Sequence, residues 1–228
     1  MSKPYQHIPI AECGEPLVAI TDQIPKILPH PYISLGAPYG DRSPFFVRQS
    51  ILNKLLQSQA YLQTIHPHWK IAIFDAYRPI SVQQFMVDYS FEQLATSQGL
   101  AISNLTKSQK DTLMTEVMKF WATPSHDLKT PPPHSTGAAI DVTLLDSEFL
   151  EVNMGSPIDE ISDRSLPDYF ANSIDSQEIK FHRDRQLLNQ VMRHSGFQRH
   201  PNEWWHFSYG DQLWAWVSDQ NLAIYGRK

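Results

Sequence analysis

Eight of the first 44 positions are proline: Pro4, Pro9, Pro16, Pro25, Pro29, Pro31, Pro38 and Pro44. Proline fixes φ and removes a backbone donor, so this stretch cannot supply long helices or central strands. It reads instead as extended segments and turns, a wrap over about residues 1–46 laid on a body formed by the remainder. The whole is expected to be one domain spanning 1–228, since 228 residues with 41% hydrophobic content suffice for one sizeable core.

Beyond the wrap, periodicity sets the elements. Val47, Ile51, Leu55, Leu56, Leu62 and Ile65 recur at helical steps, predicting a helix over 47–66 that ends at His66-Pro67. The run WKIAIFDAY (69–77) reads as a buried strand. A second helix is expected over 81–95, with Ser81 as its cap, and a third over 107–122, stopped by the prolines of TPPPH. GAAIDVTLL (137–145) is a second buried strand, with EFLEVN (148–153) as a hairpin arm and 154–165 as a loop. A helix over 182–195 precedes Gly196, and GFQRHPNEWWHFSYG returns as strands. WAWV (214–217) suits either a last strand or a short helix. The expected class is α+β, with a central, mainly antiparallel sheet flanked by helices.

The bulk numbers exclude several roles. Net charge is −5 and the charges are interspersed, so nothing marks a nucleic-acid surface. A single cysteine, Cys13, rules out an intrachain disulfide and any Cys-based zinc site. No apolar run approaches the roughly 18 residues of a membrane span, and the N-terminus lacks a signal-peptide core, so the expected compartment is the cytoplasm. Oligomeric state is left open.

Three stretches carry chemistry. EWWHF (203–207) sets Glu203 and His206 around two tryptophans, which reads either as a core Trp pair with polar edges or as a catalytic base beside a metal ligand. In HSTGAAID, His134 leaves a proline loop and Asp141 lies on the following strand. With His206 they make two imidazoles and a carboxylate, a three-ligand zinc set that leaves one coordination position for water. Glu203 then suits the general base, although strict strand alternation would point 203 and 206 to opposite faces unless a bulge intervenes. Arg78, in FDAYRP, suits either an oxyanion or substrate carboxylate, or pairing with an acid such as Asp75. His7, His30, His66, His68, His126, His182, His194 and His200 lack a partner pattern and are expected as surface or loop residues. His200, six residues before His206, is the exception to watch.

Together, FDAYRP, HSTGAAID and EWWHF, in this order and spacing, resemble the zinc-dependent D-alanyl-D-alanine dipeptidases. This class includes the vancomycin-resistance dipeptidase and falls within the D-Ala-D-Ala carboxypeptidase and hedgehog-like folds. The resemblance covers about residues 25–210. It implies one Zn²⁺ on His134, Asp141 and His206, with Glu203 as base and then acid, and Arg78 on the tetrahedral intermediate. It implies a small dipeptide substrate whose amino group meets Asp159 of MGSPID and whose pocket includes Tyr32. The alternatives of the same fold are a D,D-carboxypeptidase or L,D-endopeptidase acting on peptidoglycan peptides, and a non-catalytic zinc- or ligand-binding module. The family's usual Ser-x-His is here Pro132-Pro133-His134. That leaves the metal set intact but removes a hydroxyl, opening the carboxylate side of the pocket to other D-amino acids.

Overall fold

The two apolar runs lie side by side, the first on the edge and the second inside, in a four-stranded antiparallel sheet of the computed structural model, which describes residues 3–228. Strands β1 (Leu17–Ala19) and β2 (Phe46–Arg48) form a separate small ribbon. The main sheet contains β3 (Lys70–Asp75), β4 (Ala139–Leu145), β5 (Gln198–Arg199) and β6 (His206–Ser208), in the order β3-β4-β6-β5. Helices α1 (Pro31–Ser34), α2 (Gln49–Ile65), α3 (Ile80–Ser97), α4 (Lys107–Phe120), α5 (Ser176–His194) and α6 (Gln212–Val217) surround it. The class is α+β, as expected.

Alternation on β4 divides the interior in two. Ile140, Val142 and Leu144 join Ile51, Leu55 and Leu62 of α2 and Leu188, Val191 and Met192 of α5 in one apolar cluster. Asp141 and Thr143 lie on the opposite face, yet every residue of β4 is buried. A second cluster, built on Val82, Met86, Val87, Val117 and Trp121 of the α3–α4 region, includes Tyr32 and Tyr39 from the wrap. Burying both faces explains why β4 reads as a continuous apolar run rather than an alternating one.

One irregularity places the polar groups. Ile73 pairs with Val142, but the next register pair is Asp75 with Asp141, so β3 spends two residues where β4 spends one. Without that bulge Asp75 would share the face of Ile71 and Ile73, among the aliphatics. With it, Asp75 stands opposite Asp141, and Asp141 stands opposite His206 on β6. Three polar residues thus form one row across three strands.

The wrap covers exposed backbone. Ile27 N–H donates to Ile73 O, and Ile73 N–H donates to Pro25 O, so the outer edge of β3 is paired locally. Arg48, fully buried, donates to both carboxylate oxygens of Glu12 and to the carbonyls of Glu15, Thr136 and Gly226. It joins the wrap, the loop before β4 and the last residues of the chain.

Several boundaries depart from the expectations. Ser81 does not cap α3; Pro79 holds the cap position, and the Ser81 hydroxyl donates to Pro38 O. Helix α5 starts at Ser176 rather than 182, capped by Asp175, which accepts from Gln177 and Glu178 N–H. The added residues 176–181 are mostly exposed, with Ile179 and Phe181 the apolar ones, too few for apolar periodicity to report the turn. WAWV falls within a helix, α6. The arm at 148–153 forms no full strand: it meets the end of β4 through the Leu145–Glu151 bridge and a bond from Val152 N–H to Leu144 O, and closes its turn on Asp146, whose N–H donates to Leu150 O.

Candidate metal centre

His134 sits in a single 3-10 turn, Pro133–Thr136, directly after the proline run. That turn ends at Gly137 with φ 72°, and a Cβ there would collide with the Leu17 side chain. The left-handed glycine lets the chain turn sharply from His134 into β4. His134 Nδ1 donates to Ala76 O at 2.7 Å, which leaves the lone pair on Nε2.

That lone pair faces two others. His134 Nε2 lies 3.1 Å from His206 Nδ1 and 3.2 Å from Asp141 Oδ2, and His206 Nδ1 lies 3.1 Å from Asp141 Oδ1. All three side chains are buried. Ligands about 2.0–2.2 Å from a tetrahedral zinc lie roughly 3.3–3.5 Å apart, so this triangle has the dimensions of one face of such a centre. His206 Nε2 meets Ser208 Oγ at 3.3 Å, which turns Nδ1 toward the other two donors. Burial pushes the His206 imidazole below its usual pKa, favouring the neutral form that ligation requires. Burial opposes ionisation of Asp141, but its electrostatic interactions with the His134 and His206 imidazoles outweigh it, holding the carboxylate well below its ordinary range.

Glu203 lies in the turn before β6, not within a strand, so strict alternation does not apply and no bulge is needed there. Its carboxylate is 3.7 Å from His206 Nδ1 and 3.6 Å from His200 Nδ1. Burial raises its pKa well above the ordinary value, and the nearby negative charges of Asp141 and Asp159 add to this. His200, which the sequence alone left unpartnered, is an inward neighbour of this site.

Arg78 pairs with Asp75, the second of the two readings, while also lining the cavity. Its guanidinium bonds Asp75 Oδ2 at 2.9 Å through Nε, Gln83 Oε1 at 3.0 Å, Tyr32 Oη at 3.2 Å and Asp141 Oδ2 at 3.2 Å. Its Cζ lies 5.0 Å from the ring centroids of both Tyr32 and Trp121. The planar fork is therefore held edge and face. Asp75 also receives Tyr39 Oη at 3.0 Å and His30 Nε2 at 3.2 Å. His30 is thus no surface residue: it is 3% exposed and also caps α1 through Nδ1. Proline spacing hid it, although His30-Pro31 is a helix-start signal. Trp204 and Trp205 wall the region at 2% exposure, whereas Trp216 is largely outside it at 37%.

Asp159 adopts φ 66°, a left-handed conformation that aspartate tolerates better than most residues. Tyr32 Oη donates to its Oδ2 at 2.6 Å. Burial, reinforced by Asp141, lifts its pKa to about 7. Arg78, Asp159, Glu203 and the three donors line one cavity of about 440 Å³, mouth included, together with Lys3, Tyr5, Trp121 and His200. Tyr32 stands behind this wall, on Asp159 and Arg78.

A three-donor centre with a neighbouring carboxylate and a fixed guanidinium is the layout of a mononuclear metallohydrolase. Residues 26–225 match the Peptidase_M15 family model, described as D-ala-D-ala dipeptidase, and the chain belongs to that family. It is 48% identical over 238 residues to D-alanyl-D-alanine dipeptidase of Synechocystis sp., an alignment spanning 99% of this chain and 96% of that protein. A D-alanyl-D-alanine dipeptidase of Enterococcus faecium is 41% identical over 81 residues, covering 35% and 37% of the two chains. A solved vancomycin-resistance D,D-pentapeptidase VanY in complex with Zn(II) superposes with a TM-score of 0.45 at 15% identity, covering 90% of this chain and 94% of that one. No helix among the described residues is long and apolar enough to cross a membrane.

Proposed function

We propose that the chain is a zinc-dependent D,D-dipeptidase that hydrolyses D-alanyl-D-alanine. The observation that carries this reading is the convergence of His134 Nε2, His206 Nδ1 and Asp141 within 3.1–3.2 Å, with Glu203 3.7 Å from the His206 nitrogen. Near-full-length similarity to a named D-alanyl-D-alanine dipeptidase supports the substrate.

His134, Asp141 and His206 would hold zinc, which when bound acidifies water toward a pKa of about 7 and polarises a carbonyl. Glu203 takes the proton of the attacking water and delivers it to the departing amine. A carboxylate with a raised pKa is suited to both halves of that transfer. Arg78, pinned by Asp75 and Gln83, presents fixed positive charge to the oxyanion that develops at the scissile carbonyl, at no cost of reorganisation. Asp159 pairs with the free ammonium of the dipeptide, and the Tyr32 phenol holds its carboxylate in place. A peptide extended at its amino end would leave Asp159 buried without its partner, at a cost of about 1–3 kcal/mol or more. This favours a dipeptide over longer wall peptides.

The test is release of free D-alanine from D-alanyl-D-alanine and from a muropeptide, before and after chelation and with zinc restored. Chelator-sensitive, zinc-restored turnover of the dipeptide in preference to the muropeptide is expected. Undiminished turnover in stringently metal-free protein, or preference for the muropeptide, would overturn the reading.

A further inference from the structure

A groove between α1 and α3 abuts the site cavity. With its mouth it measures about 960 Å³, against about 440 Å³ for the site cavity on the same terms. Two residues, Trp121 and Asp159, line both.

The groove is built from three elements. Met86, Ser90, Leu94 and Ser97 recur at three- and four-residue steps, so they present one face of α3 along its length. Tyr32 and Leu35, at α1, stand opposite. Three rings make the floor: the centroid of Tyr32 lies 5.8 Å from that of Phe74 and 6.3 Å from that of Trp121. Phe74 is the residue that the β3 bulge leaves without a register partner, and it is only partly buried. The irregularity that turns Asp75 onto the Asp141 face thus also supplies a ring to the groove. Among the described residues, no lysine, arginine or histidine lines it, and Asp159 is its one carboxylate.

Asp159 and Trp121 join this apolar space to the proposed chemistry. The Tyr32 ring lines the groove while its Oη bonds Asp159 at 2.6 Å and Arg78 at 3.2 Å. Trp121 carries the Arg78 guanidinium 5.0 Å from its ring centroid. In an amino acid the ammonium and the side chain leave the same Cα. With the ammonium on Asp159, that carbon lies about 4 Å from the carboxylate oxygen, one hydrogen bond and one N–Cα bond away. The side chain therefore starts beside the residues that the two cavities share. The methyl of D-alanine would leave the groove unfilled, whereas a branched or aromatic side chain would bury apolar area in it.

We infer that the groove is the subsite for the side chain of the dipeptide's N-terminal residue, and that the enzyme prefers D,D-dipeptides in which this residue is large and apolar. The inference rests on the dipeptidase reading and on its placement of the ammonium at Asp159. It narrows the substrate class at one residue and leaves the leaving amino acid untouched.

The experiment compares kcat/KM for D-alanyl-D-alanine, D-leucyl-D-alanine and D-alanyl-D-leucine, in the wild type and in Ser90→Phe and Gln93→Trp. Both substitutions add a ring to the α3 side of the groove. Ser90 is 8% exposed, and Gln93, also on the lining, is exposed and tolerant of a larger side chain. Zinc content and a thermal melt check that each variant is folded. The wild type should favour D-leucyl-D-alanine over D-alanyl-D-alanine by about tenfold or more, within the range a hydrophobic pocket gains from added methylenes. D-alanyl-D-leucine should show no such gain. The variants should lose the gain for D-leucyl-D-alanine and leave D-alanyl-D-alanine unchanged. A wild type that hydrolyses D-leucyl-D-alanine no faster than D-alanyl-D-alanine, or variants that lower all three substrates alike, would overturn the inference. A folded, zinc-loaded wild type inert toward all three would instead remove the reading beneath it.

Discussion

Tyr32 and Asp159, 127 positions apart, meet through a 2.6 Å hydrogen bond at the wall of the candidate site cavity. The phenol fixes the direction of a carboxylate that burial and Asp141 hold protonated up to a pH of about 7. An ammonium ligand needs the ionised form. KM for D-alanyl-D-alanine should therefore fall as pH rises through about 7, until the dipeptide's own amine deprotonates near 8. Asp159→Asn should flatten the lower limb while raising KM. A steady-state pH series on both proteins checks this.

The same group carries a stability signature of opposite sense. Its folded pKa lies above its unfolded one, so its favourable contribution is complete below about pH 4 and is lost as pH rises through 7. Substrate-free wild type should lose stability relative to Asp159→Asn between pH 5 and pH 8, measured by urea titration at each pH.

Glu203→Gln removes the proton acceptor but keeps the size of the side chain. Zinc content should stay near one per chain while kcat falls by about 10²–10⁴-fold with little change in KM. Metal analysis beside steady-state kinetics decides it; near-normal kcat would free Glu203 from its proposed role.

His206→Ala removes one corner of the donor triangle. The variant should copurify without zinc and should no longer respond to chelator. The wild type should lose about 4 kcal/mol of apparent stability when free zinc drops from a thousandfold above Kd to none. Calorimetry with and without chelator compares the two. A wild-type melt indifferent to zinc would remove the metal assignment.

Arg78→Lys retains the charge but cannot satisfy Asp75, Gln83, Tyr32 and Asp141 together, because an ammonium lacks the planar fork. A loss of about 10²–10³ in kcat is expected, the range for removing an oxyanion donor. Asp75→Ala, which strands a buried guanidinium, should cost about 3–5 kcal/mol of stability. Kinetics on the first and denaturant unfolding on the second distinguish the catalytic from the structural half of this pair.

Much of the site was legible because its residues lie in short, distinctive strings. His134 and Asp141 share one eight-residue stretch, and Glu203 and His206 share another. The strand alternation that argued against Glu203 failed for a physical reason: β6 begins only at His206. The irregularity expected there exists instead in β3, where it turns Asp75 onto the Asp141 face. Nothing local in KIAIFD announces it, since a bulge is defined by its partner strand. His30 escaped notice for the same reason: its carboxylate partner is 45 positions away. The two buried strands and α2 to α4 were readable from periodicity, whereas the start of α5 was written in a cap, Asp175, rather than in apolar spacing.

The loop that presents His134 is braced from the far end of the chain: Lys228 N–H donates to Ser135 O, and Gly226 O accepts from Arg48, which also grips Thr136 O. Deleting residues 226–228 would leave the three donors in the chain but remove the clasp around the first of them, so the geometry of the triangle depends on residues that share no strand with it.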